Sequence, residues 1–277
     1  MTAIQHLLSF EFVRHALLAG LLASVLCGVV GTFVVVKRLV FISGGISHAA
    51  FGGLGLCYYL GVDYRWGASA VAVGSALALA GAGRDRGRSH DATIGILWAV
   101  GMAVGIVFLH LTPGYAPNLQ TYLFGNILTV TAQDVKLTAG LVVVLLALLA
   151  LFWKELVAVA FDEAFAAVQG VPVRLALAGL MVAIALAIVF LIQLVGTLLV
   201  IALLTIPPAL ALRLANGFFA VMATATAAGA LMTLGGLAVS YSFDLPSGPA
   251  VVLLGAALLL LVDGWRRIRQ YTARRLE

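Results

Sequence analysis

Charged residues are scarce in this sequence. Asp, Glu, Lys and Arg make up 10% of its 277 residues, whereas soluble domains contain about 25%. Hydrophobic residues make up 63%, and the mean hydropathy is +1.15. A water-soluble core of this size could not bury so much apolar surface. The composition therefore excludes a soluble globular protein and predicts a chain that uses lipid as its solvent.

Motifs of ATPases and hydrolases are also missing. None of the three lysines, Lys37, Lys136 and Lys154, lies in the GxxxxGK[ST] pattern of a phosphate-binding loop, and neither HExxH nor GxSxG occurs. The two cysteines, Cys27 and Cys57, lie in apolar runs without the spacing of a metal finger, so we interpret them as core residues. We therefore expect a non-enzyme without a permanently bound cofactor.

Apolar runs long enough to cross a bilayer occur nine times. A spanning helix needs about 20 residues, and segment 117–130 is too short, so we predict that it is re-entrant and buried in protein. The fold class is therefore all-α, a single polytopic membrane domain over residues 1–277. The predicted spans are 16–36, 42–60, 67–82, 94–111, 133–153, 175–194, 196–212, 218–240 and 247–264.

Basic residues are distributed unevenly between the two sides of these spans. Of the sixteen Lys and Arg residues, all but Arg14, Arg65 and Lys136 fall on one side. The positive-inside rule makes that side cytoplasmic, which puts the N-terminus outside and the C-terminus in the cytoplasm. The arginines of loop 84–88 are expected to meet anionic lipid headgroups rather than nucleic acid.

Ionisable groups inside the predicted spans are few. Carriers driven by proton or sodium gradients usually keep such groups near the middle of the membrane, and here His48 and His110 lie near span ends. The pattern favours a translocation pathway whose energy comes from a partner. A secondary carrier and a non-transporting scaffold remain alternatives.

The largest predicted cytoplasmic connection, residues 154–174, is expected to be a helix. Apolar residues recur there at spacings of three and four, and Gly170 and Pro172 interrupt the pattern. Helices on lipid surfaces favour Lys and Arg on the polar face, but this polar face is acidic, which favours a groove on a partner protein. The predicted coupling residues are Phe161, Asp162, Glu163, Ala164 and Gly170.

Four stretches together resemble the membrane-spanning permease subunit of bacterial metal-ion ABC importers, which carry zinc, manganese or iron(II). They are 34–56 (VVVKRLVFISGGISHAAFGGLGL), 155–173 (ELVAVAFDEAFAAVQGVPV), 195–215 (VGTLLVIALLTIPPALALRLA) and 240–256 (SYSFDLPSGPAVVLLGA). The resemblance implies a homodimer in the bacterial inner membrane. It also implies an ATP-binding subunit docked at a coupling helix near residues 155–171, and an extracytoplasmic metal-binding protein.

His48, in SGGISHAAFGG (43–53), is the leading candidate for a transient metal ligand. Imidazole suits zinc, manganese or iron, and a lone ligand can release the ion; a packed histidine and a proton relay are the alternatives. Many relatives have Asp one turn earlier, where this chain has Gly44. Gly44 and Gly52 are expected to leave space around the imidazole. The predicted packing residues around the pathway are Gly44, Gly45, Ser47, Gly52 and Gly53.

Weaker candidates for the pathway are Asp63, Asp244 and Gln193 on the predicted outer side. Pro207 and Pro208 lie inside the seventh predicted span, where they form either a fixed kink or a hinge for alternating access. Among the metals we favour zinc. A permease for a larger chelate, such as a siderophore or a corrinoid, is a further alternative.

Overall fold

The protein is described by a computed structural model that covers residues 9–82, 90–113, 122–123 and 125–273. Within these residues it consists of eleven α-helices and one turn of 3-10 helix at Ile127–Thr129, without a strand. The helices are α1 (Glu11–Val36), α2 (Val40–Leu60), α3 (Tyr64–Ala82), α4 (His90–Leu111), α5 (Ala132–Leu151), α6 (Trp153–Phe161), α7 (Glu163–Val168), α8 (Val173–Val195), α9 (Thr197–Leu214), α10 (Phe218–Phe243) and α11 (Ser247–Ala273).

The nine predicted spans coincide with the nine long helices. Eight of these helices are long and apolar enough to cross a membrane, and α3 matches the short third span with a less apolar sequence. The all-α polytopic fold is therefore confirmed. The predicted re-entrant segment and the arginine loop 84–88 lie partly or wholly outside the described residues.

Glycines bring α2 into backbone contact with the two helices that follow it in the chain. A methyl group at Gly53 would overlap the carbonyl oxygen of Gly67 on α3. A methyl group at Gly52 would lie 3.0 Å from the carbonyl oxygen of Gly101 on α4. Small residues allow helices in a membrane to approach this closely. The helices α2, α3 and α4 therefore form one tightly packed unit.

The first helix, α1, packs against helices from the far end of the chain. The Ser24 and Thr233 hydroxyls lie 3.1 Å apart between α1 and α10. A Cβ atom at Gly31 would lie 2.7 Å from the Leu204 carbonyl oxygen of α9. That carbonyl would pair with the backbone N–H of residue 208, which is a proline. Gly31 thus lets α1 pass beside the carbonyl that Pro208 frees.

Pro207 and Pro208 do not interrupt the helix in which they lie. Thr197–Leu214 is helical throughout, and both Pro207 and Pro208 are buried inside it. A role as a hinge stays a prediction.

The predicted coupling segment forms two short helices instead of one. Asp162 adopts an extended conformation, with φ −150° and ψ 109°, and so ends α6. Its carboxylate accepts hydrogen bonds from the backbone N–H groups of Ala164 and Phe165, which caps α7. The apolar periodicity did not reveal this break, because the spacing continues through Asp162, whose side chain caps a new helix. Gly170 follows α7 with a left-handed φ of +81°.

Ion pairs define two opposite ends of the helix bundle. At one end, Lys37 after α1 pairs with Glu163 of α7. At the other end, Arg65 at the start of α3 pairs with Asp134 of α5. We refer to these as the Lys37 end and the Arg65 end.

Candidate functional site

His48 lies on α2 with its ring packed inside the protein. The residue is 8% exposed. Its imidazole stacks on the indole of Trp98 from α4, with ring centroids 4.2 Å apart and planes inclined by 12°. Within the described part of the chain, the Nδ1 atom is buried and has no hydrogen-bond partner. Buried polar atoms are rarely left unpaired, so this nitrogen can accept a ligand from outside the described residues.

The glycines beside His48 have unequal surroundings. Among the described residues, a Cβ atom at Gly44 would have only Trp98 nearby, at 3.9 Å, whereas one at Gly45 would lie 2.7 Å from Cγ2 of Ile94. Gly52 is in close contact with Gly101, as described above. The space that Gly44 leaves beside the imidazole is therefore bordered by the indole of Trp98, which no pattern in the sequence indicated. Room for a larger side chain remains at position 44.

Ser47 connects α2 to the segment before α5. Its hydroxyl donates to the carbonyl oxygen of Ser43 at 2.8 Å, and its own carbonyl accepts from the Tyr122 hydroxyl at 3.2 Å. The Tyr122 ring also packs against Phe51, with centroids 4.7 Å apart. The described part of the predicted re-entrant segment therefore contacts the helix that carries His48.

Asp63 and Gln193 do not join His48. Both contact Arg65, whose Nε donates to Gln193 Oε1 at 3.2 Å and whose Nη1 lies 3.5 Å from Asp63 Oδ2. The same guanidinium donates from Nη2 to Asp134 Oδ1 at 2.6 Å. A guanidinium competes with a metal cation for these oxygens, so the group is an ionic network at the Arg65 end. Arg65 and Asp134 were missed as network members, although the TxxD pattern at residue 131 is a capping signal.

Asp244 lies at an exposed turn. It adopts a left-handed conformation, with φ 51° and ψ 43°, and ends α10. The turn is held by the Ser240 hydroxyl, which donates to the Leu245 carbonyl oxygen at 2.6 Å, and by the Leu245 backbone N–H, which donates to the Ser240 carbonyl oxygen at 3.0 Å. Asp244 thus sits in a surface turn apart from the buried His48.

No group of three or more His, Cys, Asp or Glu side chains that could hold a metal ion occurs among the described residues. A closed metal cage is therefore not built by the described part of one chain. His48 can offer one nitrogen to an ion, which fits weak and reversible binding better than permanent binding.

The predicted coupling residues divide into an inward and an outward group. The Lys37 ammonium, whose side chain is 12% exposed, donates to Glu163 Oε1 at 2.5 Å and to the Val159 carbonyl oxygen at 3.0 Å. Phe161 is largely exposed, with its ring 5.7 Å from that of Phe218. Exposed positions on the same segment include Phe161, Asp162, Ala164, Phe165, Val168 and Gly170. Glu163 therefore fixes the segment to α1, and the other residues form a free surface.

Comparisons with known proteins agree with this architecture. A family model described as the ABC 3 transport family matches residues 9–264. An uncharacterized membrane protein of Synechocystis sp. is 42% identical over 96% of this chain and 94% of its own length. The manganese transport system membrane protein MntC of Halalkalibacterium halodurans is 32% identical over 92% and 87%.

A solved structure is also similar to this chain. It is PsaBC from Streptococcus pneumoniae in complex with Fab, which is 31% identical, has a TM-score of 0.85, and matches over 94% of this chain and 93% of that one.

Proposed function

Since the chain belongs to the ABC 3 transport family, we propose that it is the permease of an importer that moves manganese ions across the membrane. Permeases of this class form the translocation pathway for a metal ion, and ATP is hydrolysed in a separate subunit. The observation that carries the choice of metal is the 32% identity, over most of both chains, to a manganese transport system membrane protein.

Zinc and iron(II) are the second choices of cargo. Zinc was favoured from the sequence, but the imidazole of His48 alone does not distinguish zinc from manganese or iron(II). The similarity to a manganese transport protein therefore outweighs the preference for zinc.

His48 is the residue that we propose to contact the ion in transit. Three observations support this role: the imidazole is buried, its Nδ1 has no protein partner within the described residues, and the stacked Trp98 holds the ring plane. A ring that is already oriented loses little entropy when an ion arrives. Asp63, Gln193 and Asp244 take no part in this step, because they lie in the Arg65 network and in a surface turn.

The assembly that we propose has two copies of this chain, two ATP-binding subunits and an extracytoplasmic metal-binding protein. A lone imidazole in each copy supports a two-fold dimer, in which a second copy could supply further ligands. The ATP-binding subunits would dock on the exposed surface of α6 and α7. The Lys37 end would face the cytoplasm, with the N-terminus outside, because most Lys and Arg residues lie on that side.

Metal content of cells tests this function. A strain without the gene is grown under separate manganese, zinc and iron limitation, and all three metals are measured by mass spectrometry. Manganese should fall in the deletion strain, the wild-type gene should restore it, and His48→Ala should not. His110→Ala is the matched control, because His110 is exposed at the end of α4, and this variant should restore uptake fully.

Other outcomes redirect or overturn the proposal. A fall in zinc alone would reassign the cargo and keep the role of His48. Full restoration by His48→Ala would remove His48 from the pathway. Unchanged levels of all three metals in a strain without other importers would favour a permease for a metal chelate.

A further inference from the structure

Two apolar cavities flank α5 near the Lys37 end of the bundle. The first has a volume of about 390 Å³ and lies between α1, α5, α6 and α8. The second is a groove of about 1030 Å³ between α5, α6 and α10. Both are lined mainly by aliphatic and aromatic side chains, and they share Val29, Leu149 and Glu155. The cavities therefore meet at one charged residue.

Glu155 is unusual because one of its carboxylate oxygens has no partner among the described residues. Its Oε2 atom is buried and makes no hydrogen bond within the described residues. The residue lies in the first turn of α6, where the helix dipole favours negative charge. Leaving such an oxygen unpaired is costly. The site therefore suits a ligand that brings a hydrogen-bond donor with a positive charge.

The neighbouring residue supplies the opposite charge. Lys154 also lines the groove and is exposed, and it forms no ion pair within the described residues. Trp153 lines the same groove, and tryptophan is enriched where the hydrocarbon core meets the headgroups. Exposed apolar residues on this half of α5, including Leu148 and Leu151, face outward as a lipid-facing helix requires. The charged pair thus lies where a lipid headgroup would lie.

We propose that this site binds a phospholipid whose headgroup carries a primary ammonium, as in phosphatidylethanolamine. The ammonium donates a hydrogen bond to Glu155 Oε2, and the phosphate pairs with the ammonium of Lys154. One acyl chain enters each cavity, so that a two-chain lipid straddles α5. Two apolar cavities that share Glu155, with Lys154 beside it in the groove, match a lipid with one charged headgroup and two acyl chains.

Native mass spectrometry of the purified full-length chain tests this site. After delipidation, phosphatidylethanolamine, phosphatidylglycerol or phosphatidylcholine with identical acyl chains is added, and the bound fraction is measured. Phosphatidylglycerol lacks the ammonium, and phosphatidylcholine lacks the N–H donors. We expect phosphatidylethanolamine to bind about tenfold more tightly than either, since a charge-assisted hydrogen bond is gained with that lipid alone.

Three variants test which residues contact the bound lipid. Glu155→Gln removes the charge with little change of shape and should abolish the preference for phosphatidylethanolamine. Gly179→Leu fills the first cavity, where a Cβ atom would meet none of the described residues within 4 Å, and should weaken binding of all three lipids. Glu11→Gln is the control, because Glu11 is an exposed carboxylate at the start of α1, and it should behave like the wild type.

Equal binding of the three lipids to the wild type would overturn the proposal. This comparison needs no variant, so it decides the matter even if Glu155→Gln fails to fold. An unchanged lipid preference in Glu155→Gln would also overturn it. Loss of the preference in Glu155→Gln, but not in Glu11→Gln, would support it.

Discussion

The helices α2 and α5 both have the length of a membrane span, but they are held in opposite ways. α2 contacts α3 and α4 through glycines along its length, and 78% of its most apolar window is buried. α5 has 17% of its window buried, and its N-terminal end is fixed by a Thr131–Asp134 capping box and by the Arg65–Asp134 ion pair. α2 is nevertheless the less apolar of the two helices.

This contrast follows from the solvent. In water, the most apolar helix would be the most buried, but lipid is as apolar as leucine and does not drive such helices together. Close packing and polar contacts decide instead which helix lies inside the protein. The small residues and the histidine of α2 therefore mark an interior helix, whereas the leucine-rich sequence of α5 marks a helix that faces lipid.

Overpacking α2 should have the largest effect on stability. Gly53→Val places a side chain where the Gly67 carbonyl oxygen already lies. Because backbone atoms cannot move aside cheaply, we expect a loss of about 3 kcal/mol or more in unfolding free energy. The yield of monodisperse protein and its melting temperature in detergent measure this loss.

The same substitution on α5 is the control. A Cβ atom at Gly140 would meet none of the described residues within 4 Å, so Gly140→Val should leave the melting temperature close to that of the wild type. Equal losses at both positions would show that α2 and α5 do not differ in packing.

Loss of the Arg65 network should have an intermediate effect. Arg65→Gln leaves Asp134, whose side chain is 14% exposed, without its cation. Fully buried pairs lose roughly 3–5 kcal/mol when one partner is removed, and for this partly exposed pair we expect about 2 kcal/mol. The less buried Asp63, with its side chain 46% exposed, provides the comparison, because Asp63→Asn should cost little.

Two adjacent glycines of α2 should respond differently to one methyl group. A Cβ atom at Gly45 would lie 2.7 Å from Cγ2 of Ile94, a methyl group on a stiff β-branched carbon, whereas one at Gly44 would make ordinary contact with Trp98. We expect Gly45→Ala to cost about 1 kcal/mol and Gly44→Ala to be neutral. Thermal melting of the two variants in the same detergent checks the difference, and a larger loss at Gly44 would contradict the packing beside His48.

A truncation on the lipid-facing side of α5 should have the smallest effect. Val143 is 66% exposed, so Val143→Ala exchanges contacts with lipid rather than contacts with protein. We expect a change below about 0.5 kcal/mol, measured by the same melting assay. A clear loss would indicate that this part of α5 is covered by another chain.

The nine spans could be predicted from the sequence because the lipid environment restricts the length and composition of each spanning segment. A helix that crosses hydrocarbon must be long, apolar and internally hydrogen-bonded, and these properties can be read from one segment at a time. The break at Asp162 was missed because an apolar period of three to four residues continues across it. At Asp162, the side chain competes with a continuing helix for backbone N–H groups, and the spacing of apolar residues does not report this competition.

The surroundings of His48 could be predicted only in part. Its place on a small-residue helix follows from SGGISHAAFGG, but its stacking partner lies fifty residues further along the chain on α4. The residue of α2 that stacks on Trp98 is determined by the relative position of α2 and α4. That position depends on the close contact between Gly52 and Gly101. The Arg65 network likewise joins segments that are separated by more than sixty residues.

The glycine contacts of α2 also have a consequence for biosynthesis. The glycine partners of α2 lie on α3 and α4, so they have all been synthesised by residue 111. For α1 the order is reversed, because the partner of Ser24 is Thr233 of α10, which is synthesised much later. During translation, the unit of α2, α3 and α4 can therefore assemble early, because contacts between nearby segments form fastest. Although α1 is synthesised before α2, α3 and α4, it reaches its contacts with α9 and α10 later than they reach theirs.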